Sequence, residues 1–284
     1  MIGKFWRRLV KGVKHLRQRA DWPDFTGSDW ADRIMRVEVT DQFHAKQGRT
    51  TGRWVLGNQD HRLVVYLKRH YRLPMWQGIL ATLFPRAGWS PAVQEWRNLR
   101  RARALGLPVP TPVAAAEYIG PWCKLQSFLA VEELTDMVAL HEAIPEAAGR
   151  LEAKVFEAWK RGLIVELAHL THQLHAGRHY HKDLYLCHFF IPRSSIAAQR
   201  GWQGKVHLID LHRFRYHPIA WRRWQIKDLA QLLYSSDIPG IGVRDRIRFW
   251  RVYQGSHAIT RRFLRILVVW KYRQYRRHNA RNAA

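Results

Sequence analysis

The stretch His181-Lys182-Asp183-Leu184-Tyr185-Leu186-Cys187-His188-Phe189-Phe190-Ile191 decides the reading of this chain. An acid two residues after a histidine stands directly before an apolar, strand-like run. A carboxylate within hydrogen-bond reach of a hydroxyl orients it and takes its proton as a new bond develops. Further on, a second acid, Asp210, ends the apolar run Val206-His207-Leu208-Ile209. Hard divalent ions prefer carboxylate oxygen, so Asp210 reads as a magnesium ligand. A turn-capping Asp is the competing reading of Asp183.

Outward from this core, the composition is that of an ordered globular protein: 284 residues, 47% hydrophobic and 12% aromatic, with 14 Trp. This length suffices for one large core or two lobes. The formal charge of +26 attracts polyanions, whether nucleic acid, anionic lipid headgroups or a phosphorylated glycolipid. Basicity aside, no recognised nucleic-acid reader motif is present, which argues against a specific nucleic-acid partner. The only cysteines, Cys123 and Cys187, form no CxxC pair, so a disulfide framework or Cys-rich zinc site is not expected. The histidines at 169, 172, 175 and 179 lack a thiol or compact carboxylate set and read as helix-surface or core residues.

The first residues do not resemble a secretory signal. The apolar run from Phe263 to Trp270 is broken by Arg265 and falls well short of the roughly 20 residues that span a bilayer. A cytoplasmic protein, soluble or peripheral to a membrane, is expected. Over residues 1–20, Ile2, Phe5, Trp6, Leu9, Val10, Val13 and Leu16 recur at helical spacing between Lys and Arg. This predicts a basic amphipathic helix that lies on an anionic membrane or packs on the protein's own core.

Alternation predicts a strand at Ile34–Val39, a polar turn region follows at Phe43–Thr51, and Leu63–Lys68 reads as a buried strand ending in Lys68. Trp89–Leu105 reads as a helix, N-capped by Ser90 with Pro91 in its first turn and Gly106 closing it. Strand-like runs follow at Val113–Ala116 and Lys124–Val131. Leu151–Ala176 reads as a long helix, and Trp221–Tyr234 and Arg244–Arg277 as two more, the last running into a basic tail. The loop Lys46-Gln47-Gly48-Arg49-Thr50-Thr51-Gly52-Arg53 lacks a full Gly-x-Gly-x-x-Gly spacing. It reads equally as a phosphate cradle through Gly48 or as an ordinary hairpin turn.

The histidine–acid pair resembles the catalytic loop of protein kinases, where the Asp accepts the acceptor hydroxyl's proton. That resemblance implies that Lys68 grips nucleotide phosphates and that Glu95, on the following helix, orients it. It also implies that His181 supports the loop from beneath. Glu132 and Gly48 complete the nucleotide-binding candidates. Kinases use Asn where this chain has His188, which stands with Asp210 as the metal-site candidate, although imidazole is a poor magnesium ligand. Asp210-Leu211-His212 replaces the Asp-Phe-Gly consensus. Asp228 either pins the catalytic loop's backbone or is a surface acid beside Lys227.

Taken together, the motifs resemble the bacterial lipopolysaccharide kinase family, which includes inner-core heptose kinases and Kdo kinases. The run from His181 to Phe189 is similar to that family's His-Arg-Asp-Cys-Tyr-x-Cys-His-Phe, with Lys182 for Arg and Leu184 for Cys. Ile209-Asp210-Leu211-His212-Arg213, Trp224-Gln225-Ile226-Lys227-Asp228-Leu229, Glu95-Trp96 and Gly106-Leu107-Pro108-Val109-Pro110 add to the likeness, which covers about Phe43 to Tyr253. It implies an α+β, protein-kinase-like two-lobed fold. The expected division is residues 1–20 as the basic helix, 30–133 as a mainly β N-lobe, and 134–284 as a mainly helical C-lobe with a basic C-terminal helix. It further implies transfer of the γ-phosphate of ATP, with Mg2+, to a sugar hydroxyl of the lipopolysaccharide inner core, heptose being the preferred acceptor. The glycolipid and the anionic inner-membrane surface would be the partners. A kinase for another acceptor (Kdo, a small molecule or a protein) and a non-catalytic membrane-binding module are the alternatives.

Overall fold

The computed structural model describes residues 2–46, 48–57, 61–197, 201–255 and 260–283, with backbone alone described at 2, 41–46, 260–261 and 281–283. The expectations on Gln47 and on the side chains of Ile2 and Lys46 therefore lie outside the described residues. The chain divides into two compact units, residues 1–104 with 110–134, and residues 105–109 with 135–284.

The first unit runs α1 (Ile2–Lys11), β1 (Val13–Gln18), α2 (Trp22–Thr26), α3 (Trp30–Arg33), β2 (Thr40–Lys46), β3 (Arg49–Gly57) and β4 (Arg62–His70). It continues with α4 (Met75–Leu83), α5 (Pro91–Ala104), β5 (Pro112–Ile119), a 3-10 turn (Pro121–Cys123) and β6 (Leu125–Glu132). Its six strands form one antiparallel sheet in the order β1-β5-β6-β4-β3-β2. In β4, Leu63, Val65 and Leu67 are buried in turn, as period-two geometry requires. They join Trp22, Trp30, Ile34, Phe128 and Ala130 in a core beneath the sheet. The same alternation turns Lys68 to the opposite face. Helix α5 packs on β4, β5 and β6, with Val93, Trp96 and Leu99 buried. The Ser90 hydroxyl accepts the Val93 N–H at 3.3 Å, so Ser90 caps α5 as the sequence suggests.

Three expectations are corrected here. The helix expected over residues 1–20 stops at Lys11. Gly12 turns the chain at φ +74° against the Ile119 carbonyl, and Val13–Gln18 then pairs with β5 as a strand. Val13 and Leu16, three residues apart as in a helix, thus fall on opposite faces of a strand, because pairing with β5 overrides the local spacing. Ile34–Val39 is not a strand. The Ile34 and Arg36 N–H groups close turns back to Trp30 and Arg33, while buried Arg69 donates to the Ile34 and Val37 carbonyls at 3.3 and 2.6 Å. The supposed turn region Phe43–Thr51 is mostly the paired ends of β2 and β3. Helix α4 had no counterpart in the sequence reading.

The second unit contains β7 (Met137–Ala139), α6 (Leu140–Arg150), α7 (Ala153–Ala176), β8 (His179–Tyr180), a 3-10 turn (Leu186–His188), β9 (Phe189–Pro192) and β10 (His207–Leu208). A 3-10 turn (Leu211–Arg213), β11 (Arg215–Tyr216), α8 (Trp221–Ser235), α9 (Val243–Gln254) and α10 (Thr260–Ala283) follow. Small sheets β10-β9-β7 and β11-β8 frame the loop that follows β8. Helix α9 packs on α7 and α10 on α8. The single helix expected from Arg244 to Arg277 is two helices, because Gly255 at φ +56° ends α9. No helix among the described residues is long and apolar enough to cross a membrane.

Candidate active site

The sheet of the first unit brings one predicted pair together. Lys68 Nζ lies 2.6 Å from Glu95 Oε1, and Glu95 is buried. Strand alternation points Lys68 toward α5, and the early position of Glu95 on that helix completes the pair. An ammonium so held is a fixed cation. Gly48 occupies the β2–β3 turn at φ +75°, and its carbonyl accepts the Tyr71 N–H at 2.8 Å. Glu132 ends β6 with its carboxylate 3.2 Å from Arg19, which also grips Asp21, a contact the sequence did not announce.

In the second unit, the loop carrying Asp183 is fastened by one stripe of α8. Asp228, fully buried, accepts the His181 and Lys182 N–H groups at 2.8 Å each. Gln231 Oε1 accepts the Leu184 N–H at 3.2 Å, and Ser235 Oγ accepts the Leu186 N–H at 2.9 Å. Positions 228, 231 and 235 share one helical face. The stripe therefore supplies acceptors to a loop whose backbone has no strand partner. Asp228 is the loop pin and not a surface acid. Gln231 and Ser235 were missed, although their spacing from Asp228 was readable.

His181 is fully buried and bonds through Nε2 to the Ile209 carbonyl at 2.9 Å. Burial holds its pKa below the usual histidine value, so neutral His181 donates this bond and ties the Asp183 loop to the residue before Asp210. Lys182 and Asp210 adopt left-handed backbone conformations at φ +71° and +61°, uncommon for residues with a Cβ and often stored at functional sites. The Lys182 ammonium lies 4.1 Å from the centre of the Trp224 ring on α8.

The Asp183 carboxylate receives Arg213 Nη1 at 3.0 and 3.2 Å and Gln231 Nε2 at 3.4 Å, with Lys227 Nζ at 3.6 Å. Burial, with neighbouring cations adding to it, lowers the Lys182 and Lys227 pKa values; nearby Asp183 and Asp228 pull against that on Lys227. Lys182, Arg213, Arg215 and Lys227 create a positive field around the Asp183 carboxylate, suited to a phosphate-bearing substrate.

His188 bonds through Nδ1 to the Asp183 carbonyl at 2.6 Å, and its Nε2 lies 3.7 Å from Asp210 Oδ2. Burial opposes its charge, but bonds to Cys187 and to the Asp183 carbonyl, with Asp210 nearby, outweigh it and raise its pKa. Asp210 Oδ1 also accepts from His212 Nδ1 at 2.8 Å. Among the described residues no group of three His, Cys, Asp or Glu side chains forms a metal cage. One partly exposed carboxylate suits a magnesium ion that completes its shell with water and substrate phosphates. An imidazole carrying its own hydrogen bonds suits a support role better than a hard-ion ligand.

The four histidines at 169–179 include structural members. His172 bonds to the Tyr253 carbonyl and His175 to the Tyr253 hydroxyl, each at 2.8 Å, while His179 stacks on Phe214.

Comparison with known proteins follows the same lines. Residues 37–253 match the model of the lipopolysaccharide kinase (Kdo/WaaP) family. The chain is 32% identical over 162 residues to the lipopolysaccharide core heptose(I) kinase WaaP of Pseudomonas aeruginosa, covering 57% of this chain and 59% of that one. It is 28% identical over 215 residues to the protein of the same name from Escherichia coli K12, covering 75% and 77%. The chain thus spans about three fifths of the length of the Pseudomonas relative. A solved structure described as WaaP in complex with acyl carrier protein superposes with a TM-score of 0.68 at 26% identity, covering 93% of this chain and 98% of that one. That likeness gives the α+β, kinase-like fold, and an acyl carrier protein was not among the partners expected from sequence. The family match over residues 37–253 covers Lys68, Glu95, Asp183, Asp210 and Asp228, and the chain belongs to the lipopolysaccharide kinase (Kdo/WaaP) family.

Proposed function

We propose that the protein is an ATP-dependent kinase that phosphorylates a sugar hydroxyl, heptose in first place, of the lipopolysaccharide inner core. The observation that carries this reading is the Asp183 loop. Its backbone is fixed by Asp228, Gln231 and Ser235, and its one carboxylate faces a cluster of cations. Asp183 orients the acceptor hydroxyl and takes its proton as the oxygen–phosphorus bond forms. Lys68, steadied by Glu95, holds nucleotide phosphate oxygens, with Gly48 and Glu132 as further nucleotide contacts. Asp210 would hold magnesium, which when bound neutralises charge on the phosphates. His188 keeps Asp183 and Asp210 in register through its two ring nitrogens.

The names of the Pseudomonas and Escherichia relatives support heptose as acceptor. The +26 charge supports a site of action at an anionic, cytoplasmic membrane face, where each Lys or Arg near the surface contributes about 1 kcal/mol. An acyl carrier protein partner is supported by the description of the structural relative.

The test is transfer of labelled γ-phosphate from ATP to core lipopolysaccharide lacking heptose phosphate, with Asp183→Ala as control. Transfer by the wild type and none by the variant is expected. No transfer to this acceptor, with transfer to Kdo, a small molecule or a protein instead, would replace the acceptor.

A further inference from the structure

Helix α4 carries no charged side chain. From Leu73 to Pro85 there is no Lys, Arg, Asp, Glu or His, and exposed Arg72 and Arg86 flank the stretch. Gly78, Ala81 and Thr82 face inward. Ala81 packs with Ile119 and Leu125, and Gly78 sits so close to the Cys123 carbonyl that no side chain fits between them. At about 100° per residue, Trp76, Ile79 and Leu83 cluster on one face away from Gly78 and Ala81, Met75 stands at the helix start, and all four are exposed, Met75 at 72%. Phe84 continues the apolar surface past the helix end.

Two neighbours extend this face. The 3-10 turn Pro121–Cys123 packs on α4 and presents Trp122, 67% exposed, from a backbone at φ +57°. Helix α1 packs on both, joined to α4 by Arg8 Nε donating to the Thr82 carbonyl at 3.1 Å. It exposes Trp6 and Val10 one turn apart, with exposed Lys4, Arg7 and Lys11 on the adjoining face. Three exposed tryptophans, five further large apolar side chains and a cationic border thus belong to three mutually packed elements.

We propose that α1, α4 and the Pro121–Cys123 turn form a membrane-docking surface that inserts its tryptophans and α4 side chains into the interface of an anionic bilayer. Charge decides for lipid as the occupant. The inserting α4 stretch carries no ion to desolvate, the exposed charged residues beside it, Lys4, Arg7, Lys11, Arg72 and Arg86, are all cations, and tryptophan favours the headgroup boundary. This assigns the contact to one folded surface, of which α1 is a part, and not to basic terminal helices acting alone. Helix α10 also exposes Phe263, Ile266 and Trp270, but exposed Arg262 and Arg273 lie on that same face, about one turn before Ile266 and two turns after it.

The inference deepens the proposed glycolipid kinase and rests on it for the acceptor; the docking itself is measured without activity. The full chain is sedimented with vesicles of phosphatidylglycerol in phosphatidylcholine and with phosphatidylcholine alone. The comparison is wild type against Trp76→Ser/Leu83→Ser, which leaves net charge unchanged, and against Ile266→Ser/Trp270→Ser. The expected result is that the α4 variant loses about tenfold or more in affinity for anionic vesicles, with an unchanged melting temperature, while the α10 variant binds as wild type. Phosphorylation of soluble, deacylated core oligosaccharide should be equal in wild type and the α4 variant. Undiminished binding by the α4 variant, or a loss confined to the α10 variant, would overturn the proposal. So would intact vesicle binding with loss of acyl carrier protein binding, which would make the surface a protein interface. Failure of all acceptors to be phosphorylated would sink the kinase reading and leave the vesicle result standing.

Discussion

Asp228 Oδ1 accepts the backbone N–H of Lys182 at 2.8 Å, and Lys182 is held there in a left-handed conformation. The bond fixes the peptide immediately before Asp183. A carboxylate with no solvent exposure thereby sets the direction of the next residue's side chain. Asp228→Asn replaces one acceptor oxygen with a donor beside an N–H. It should cost about 1–3 kcal/mol of stability and lower kcat more than it raises KM for ATP. Thermal melts and steady-state kinetics check both; an unchanged kcat would mean that the loop does not need this pin.

Lys68 and Glu95 form a pair with Glu95 buried. Lys68→Met leaves an uncompensated buried carboxylate, so a loss of about 3–5 kcal/mol is expected. Glu95→Gln should be milder in stability and should raise KM for ATP. Denaturant titration of both variants reads the difference.

Asp210→Asn should abolish transfer with little change in melting temperature, because its carboxylate is partly exposed. Chelator treatment should do the same to the wild type, with recovery on adding magnesium. Activity that persists in chelator would remove magnesium from the mechanism.

His70 carries a pH signature. Burial, aided by Arg49 and Lys68, depresses its pKa from 6.5 to about 4. Above pH 6.5 the ring is neutral in folded and unfolded chains. As pH falls from 6.5 toward 4 the unfolded chain takes a proton that the folded one refuses. Stability present above pH 6.5 is therefore lost progressively across that window, by about 3 kcal/mol in full. His70→Gln should remove this share of the acid sensitivity, read as the difference in urea midpoints at pH 7 and pH 4.5.

Gly78→Ala places a Cβ against the Cys123 carbonyl oxygen. The clash should cost about 1–3 kcal/mol and loosen α4 from the turn that presents Trp122. A melt of the variant beside Gly3→Ala, where a Cβ meets nothing, measures it.

The kinase-like resemblance, the pair of acids and the lysine–glutamate couple were legible in the chain because each sits at a boundary that local pattern marks. Asp183 precedes an apolar run, Asp210 ends one, Lys68 closes an alternating strand and Glu95 follows a capped helix start. Such features depend on period and on turn chemistry, both local properties. Residues 13–18 and 34–39 misled for the same reason. Val13 and Leu16 stand at helical spacing and Ile34–Val39 alternates, and in each case a long-range partner, β5 or the carbonyl-capturing Arg69, overrides the local pattern. The stripe Asp228–Gln231–Ser235 gained its meaning from a loop more than forty residues earlier. The apolar face shared by α1, α4 and the Trp122 turn likewise exists only once distant segments pack. Sequence determined which chemical groups were available and the period of each element. Tertiary structure decided which groups meet and which faces stay bare, because hydrogen-bond partners and burial are set by contacts between segments far apart in the chain.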